Sequence, residues 1–236
     1  MPGSRRFVPS EHGFAFANDW PSQPAVVLAT PFGDINIGDA GAGLCGGMVF
    51  AALDYWYAGT APPERRPVQG EALFGHLVRR LVDSWHLPVG ATQYFQWMNL
   101  PDGDSVFNAF GRRVVTERGL AWRTIRIHWP QIRSDLDSGI PSALGVVTVR
   151  SARPRDLGQN HQVLAVGHET SGTSVTVSVY DPNRAGRDDI HIRFDTGDPT
   201  RPTRFEHNLG IGRHEVRGFF RTVYRPAAVP VVEPVD

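Results

Sequence analysis

The stretch GAGLCGGMVFAALDYWYAG, residues 41–59, decides the reading of this chain. From Met48 to Tyr57 the only charged residue is Asp54, and a segment that is apolar on nearly every side is a buried helix. Gly59 supplies its C-terminal stop. Its start is a glycine-rich junction around Cys45, the only cysteine in 236 residues. A thiol there lies at the positive end of the helix dipole among unpaired backbone N–H groups. That position favours a thiolate and offers donors to a developing oxyanion. Gly43, Gly46 and Gly47 read as room for a substrate backbone to come close. The competing reading is a small buried hydrophobe, the usual fate of a lone cysteine.

Outward from this helix the chain divides into arm, helices and strands. Residues 1–30 form an irregular arm with at most a short strand, and residues 31–44 a tight-turning loop. After a polar connection, Pro67 is suited to a first helical position, and Leu73, Leu77 and Leu81 repeat at four with Phe74, Val78 and Val82 beside them. The aromatic run TQYFQWMNL follows, with Trp97 a candidate wall of a substrate cleft. Residues 104–118 have a helical spacing, with Phe107, Phe110 and Val114 inward. The period then changes. Trp122–Ile127 alternates like a strand, Pro130–Ser138 is a short helix, and 143–149, 162–167, 174–180, 190–194 and 219–224 read as strands of a mostly antiparallel sheet. Helices first and strands later give an α+β fold. The expected organisation is an arm and loop over 1–42, one domain over 43–226 with a helical lobe to about 120 and a β lobe beyond it, and an extended tail over 227–236.

Composition narrows the chemistry. Hydrophobic residues are 41% and charged residues 20%, a globular balance. The 24 basic and 24 acidic residues cancel, leaving no surplus charge for nucleic acid or an anionic membrane. No lysine occurs, which excludes Schiff-base chemistry and a lysine-bearing phosphate loop. One cysteine excludes an intramolecular disulfide, and nine histidines without HExxH or clustered spacing leave no expected metal site and no cofactor. There is no apolar run long enough for a membrane span and no signal peptide at residues 1–14, so a cytoplasmic location is expected. The expected partner is a peptide or small acyl substrate.

A nucleophilic thiolate needs a base and the base needs an orienting group. His161, in NHQVLAVGHE, opens a predicted strand and so sits at a sheet edge facing a cleft. His168, seven residues on, falls on the opposite face of a regular strand. Asp181, in VYDPN, closes the next strand, where an antiparallel hairpin returns it beside His161. A carboxylate there would fix the ring tautomer, and Asn183 is an alternative acceptor. Taken singly, His161 reads equally as a structural histidine and Asp-Pro-Asn as a turn.

The set LCGGM on a helix, IRSDLDSGIPSALGVV, NHQVLAVGHE and VYDPN, spanning residues 43–183, resembles the papain-like cysteine peptidase superfamily, closest to its bacterial C39-like branch. The resemblance implies a papain-like fold and a cysteine-dependent hydrolase of a peptide or other acyl bond, a thiol protease in which Cys45 is the nucleophile, His161 the base and Asp181 the orienting residue of a catalytic triad. It also implies an oxyanion donor six residues before the cysteine, usually glutamine. This chain has Asp39 there, and Asn36 is the nearby amide that could take the role. An acyltransferase on the same fold and a non-catalytic peptide-binding module are the alternatives.

Overall fold

The computed structural model describes residues 6–20, 26–30, 33–37, 44–85 and 89–230. A short helical turn, α1 (Pro9–His12), lies in the N-terminal arm, followed by the hairpin of β1 (Val26–Thr30) and β2 (Gly33–Ile37). Then come α2 (Cys45–Ala58), α3 (Ala72–Ser84) and α4 (Val89–Asn99). A hairpin of β3 (Ser105–Ala109) and β4 (Arg112–Glu117) leads to α5 (Leu120–Arg123), a π-turn (Thr124–His128) and α6 (Trp129–Asp137). The main sheet is built from β5 (Ser142–Val147), β6 (His161–Ser171), β7 (Ser174–Tyr180), β8 (His191–Asp195), β9 (Glu206–His207) and β10 (Gly218–Arg221). Its order is β10-β5-β6-β7-β8-β9, antiparallel throughout. The chain is therefore a mixed α+β fold.

The apolar pattern explains the layers. Helix α2 is buried from Gly46 to Tyr55 because it is sandwiched between α3 and one face of the sheet. Met48, Phe50 and Leu53 pack with Leu77 and Leu81 of α3, with Leu164 and Tyr180 of the sheet, and with Phe7 and Phe14 of the arm. The other face, through Val146, Val163, Val177 and Ile192, is covered by Ile125, Trp129 and Ile132. A third cluster joins Tyr94, Trp97 and Met98 of α4 to Leu120 and Phe220. Gly59 closes α2 at φ 71°, a left-handed conformation that side-chain-bearing residues resist.

The structure corrects the sequence reading in several places. Residues 104–118 are a hairpin, not a helix, and Phe107 and Val114 are cross-strand partners. A pair seven apart across a two-residue turn has the same spacing as two helical turns, which is why the two patterns coincide. The turn is Phe110–Gly111 with φ 50° and 72°, and Phe110 is fully exposed at 106%. Trp122–Ile127 is helical, not a strand. The buried positions of the helical run that contains it, Leu120, Ala121, Thr124, Ile125 and Trp129, follow the helical period through the π-turn. Helix α3 begins at Ala72 rather than Pro67, because a turn at Gln69–Gly70 intervenes and Glu71 accepts from the Val68 N–H at 2.9 Å. The glycine-rich loop contains a strand, in which Asn36 pairs with Val27. No helix among the described residues is long and apolar enough to cross a membrane.

Candidate active site

Cys45 is the first residue of α2, and the side chain of the N-cap residue, Leu44, makes no capping hydrogen bond. Helix α2 is held hard against its neighbours. A Cβ on Gly47 would collide with the Leu77 carbonyl of α3, and one on Gly46 would stand 2.6 Å from the Gln162 Oε1. These two glycines therefore make room for α3 and for β6 rather than for a substrate backbone, which corrects the sequence reading. Gly43 and Asp39 lie outside the described residues, and Asn36 is placed by its backbone only.

His161 opens β6 and is buried, 4% exposed. Its Nε2 lies 2.7 Å from Asp181 Oδ1, and the Cys45 thiol is within hydrogen-bonding reach of the same ring. With Nε2 facing the carboxylate, Nδ1 is the nitrogen left for the sulfur. Burial pushes the ring's pKa down, but the Asp181 charge and hydrogen bond, together with Cys45, outweigh it and raise it to about 10. Asp181 is fully buried at 0% exposure. It accepts from the Asn183 N–H at 2.9 Å on Oδ1 and from the Gly210 N–H at 2.7 Å on Oδ2. Burial alone would raise its pKa. The His161 charge and these three hydrogen bonds lower it.

Asn183 does not touch the ring in this arrangement. Its amide donates to the Gly210 carbonyl at 2.7 Å and its oxygen accepts from Asn18 at 3.0 Å. Trp97 is buried at 4% among Phe220 and His128, so it belongs to the core and not to a cleft wall. His168 turns to α6, where it pairs with Asp137 at 2.8 Å and lies edge-on to Trp129.

Two groups, Gln162 and Asn18, were not singled out in the sequence, and a third, Tyr94, only as one of the aromatic run that could wall a cleft. Tyr94 of α4 donates from its hydroxyl to the His161 carbonyl at 3.0 Å, and burial and the Cys45 charge raise its pKa well above the ordinary range, so it stays a donor. Gln162 is 2% exposed, and its side-chain amide interacts with the Tyr94 hydroxyl. Asn18, in the arm, reaches both the helix tip and the Asp-Pro-Asn turn. Only the Gln162 position carries a local signal, a polar residue inside an apolar strand.

Among the described residues no group of three or more His, Cys, Asp or Glu is placed to hold a metal ion. No family model, curated protein or solved structure matches the chain.

Proposed function

We propose that the protein is a cysteine-dependent hydrolase of a peptide or other acyl bond, with a papain-like arrangement of Cys45, His161 and Asp181. The observation that carries this reading is the buried His161–Asp181 pair at 2.7 Å with the Cys45 thiol on the other side of the ring. That ring, its pKa raised by Asp181 and Cys45 to about 10, is the group that takes the thiol proton in this reading.

The Cys45 sulfur attacks the substrate carbonyl carbon, forming a C–S bond while the carbonyl electron pair moves to oxygen. The backbone N–H at the tip of α2 donates to that oxyanion. His161 then delivers its proton to the leaving amine as the C–N bond breaks, and an acyl-Cys45 remains. A water molecule gives a proton to His161 and attacks the acyl carbon. The C–S bond breaks, the acid leaves, and the thiolate–imidazolium pair is restored. Asp181 keeps the ring oriented and its charge balanced without itself taking the proton.

The experiment is digestion of a defined peptide and acyl-ester library by the wild type and by Cys45→Ala, with products identified by mass spectrometry. Turnover in the wild type alone, with an acyl group trapped on Cys45, is expected. Equal turnover by Cys45→Ala overturns the assignment.

A further inference from the structure

The hydrogen bonds around the site form a closed circuit. The backbone N–H of Leu44, the residue before Cys45, donates to Asn18 Oδ1 at 2.9 Å. Asn18 Nδ2 donates to Asn183 Oδ1 at 3.0 Å, and Asn183 Nδ2 donates to the Gly210 carbonyl at 2.7 Å. The Gly210 N–H donates to Asp181 Oδ2 at 2.7 Å, and Asp181 Oδ1 meets His161 Nε2, whose ring returns to Cys45. The sense of the two amides is fixed by their neighbours. Asn18 Oδ1 faces two groups that only donate, the Leu44 N–H and the Trp20 Nε1–H at 3.1 Å, while Asn183 Nδ2 faces a carbonyl that only accepts. The backbone of Asn18 adds a bond to the Pro182 carbonyl at 2.9 Å. Gly210 is required at its place, because a Cβ there would lie 2.6 Å from the Asn183 Cβ.

We propose that Asn18 is a positioning residue, which links the tip of α2 to the Asp-Pro-Asn turn and so holds Cys45 in register with His161. The inference rests on the thiol–imidazole pairing proposed above. It extends the site into the N-terminal arm. The arm is tied down at two further points among the described residues: Ser10 bonds Asp188 through its backbone at 2.9 Å and its hydroxyl at 2.7 Å, and the Phe14 N–H reaches the Tyr180 hydroxyl at 3.3 Å. Asn18 touches no reacting atom. Its effect passes through geometry, where a displacement of about 1 Å costs up to about 100-fold in reactivity.

The test is the rate of Cys45 alkylation by iodoacetamide from pH 5 to 10 in the full chain, with melting followed in parallel. The proteins are the wild type, Asn18→Ala, His161→Ala and the double variant, none of which introduces a new charge. Asn18→Ala is expected to slow alkylation at pH 6 by about tenfold. His161→Ala should slow it by more, and Asn18→Ala should add nothing further in that background. A cap that matters only for stability would lower the melting midpoint and leave the rate profile in place, or would act equally in both backgrounds. Either result overturns the inference while the thiol–imidazole pairing stands. Wild-type alkylation by His161→Ala removes the pairing itself, and the inference falls with it. If Asn18→Ala does not fold, Asn183→Ala breaks the same circuit and is read by the same outcomes.

Discussion

Asp54 and Asp181 are both fully buried carboxylates that face a histidine ring, and they do different things. Asp54 meets His76 Nε2 at 3.2 Å, but it also meets Arg80 Nε at 2.8 Å, the Tyr224 hydroxyl at 2.7 Å and the Ala227 N–H at 2.9 Å. Its charge is answered by a guanidinium that itself lies over the rings of Phe50 and Tyr224. Asp181 has backbone donors and His161, and among the described residues no arginine pairs with it. Among the described residues the positive charge in direct contact with it is therefore that of the ring beside Cys45. The difference teaches that a buried Asp–His pair is not by itself a sign of catalysis. An arginine turns it into a fastening, here between α2, α3 and the segment after β10. Without one, the carboxylate's only ion-pair contact among the described residues is the imidazole.

The sharpest way to break this comparison is to remove each histidine. His161→Ala is expected to lower turnover by about 10²–10⁴-fold, the usual size of a lost general base. His76→Ala should leave turnover and Cys45 alkylation at wild-type values at any temperature where the protein is folded. Comparable losses from both, measured as kcat/KM, would erase the distinction. The reverse asymmetry should appear in stability. Arg80→Ala strands the Asp54 charge in the core, and a loss of about 3–5 kcal/mol is expected in denaturant unfolding. A loss within experimental error would mean that Asp54 is not held as an ion pair.

Acidity gives a third, smaller separation. The pKa of His161 is raised in the folded chain to about 10 from its ordinary 6.5. The stabilisation it brings is whole below pH 6.5 and is lost as pH rises toward 10. Asp181, with its pKa lowered, contributes above its ordinary 3.8, and that contribution fades as pH falls through its folded value. The stability gap between wild type and His161→Ala should be widest between pH 3.8 and 6.5 and should narrow on the alkaline side, as read from melting midpoints across pH. A gap that grows above pH 6.5 would contradict the raised value. The smallest effect belongs to a third Asp–His pair, Asp137 with His168, where Asp137 is half exposed. Solvent screens such a pair, so His168→Ala should leave melting and alkylation unchanged.

The parts of the fold legible in the sequence are those with a strong apolar period. Helix α2 with its glycine stop, the leucine stripe of α3 and the alternating strands β7 and β8 announce themselves, because burial there follows a single repeat. The β3–β4 hairpin did not, because Phe107 and Val114 satisfy the helical and the cross-strand spacing alike. The stretch after Gly119 did not, because a π-turn displaces the helical period by part of a turn and leaves an apparent alternation. At the candidate site, Cys45, His161 and Asp181 could be named because each sits at the end of a regular element. Asn18 and Gly210 could not. They lie in irregular segments, and their meaning is set by partners 165 and 29 residues away, a separation no local pattern encodes.

That separation also orders events during synthesis. Asn18 leaves the ribosome well before its partner Asn183, 165 residues behind it, and at about 5–20 residues per second the delay is on the order of ten seconds. For most of that interval the nascent chain carries Cys45 without the His161–Asp181 pair that meets it in the folded chain.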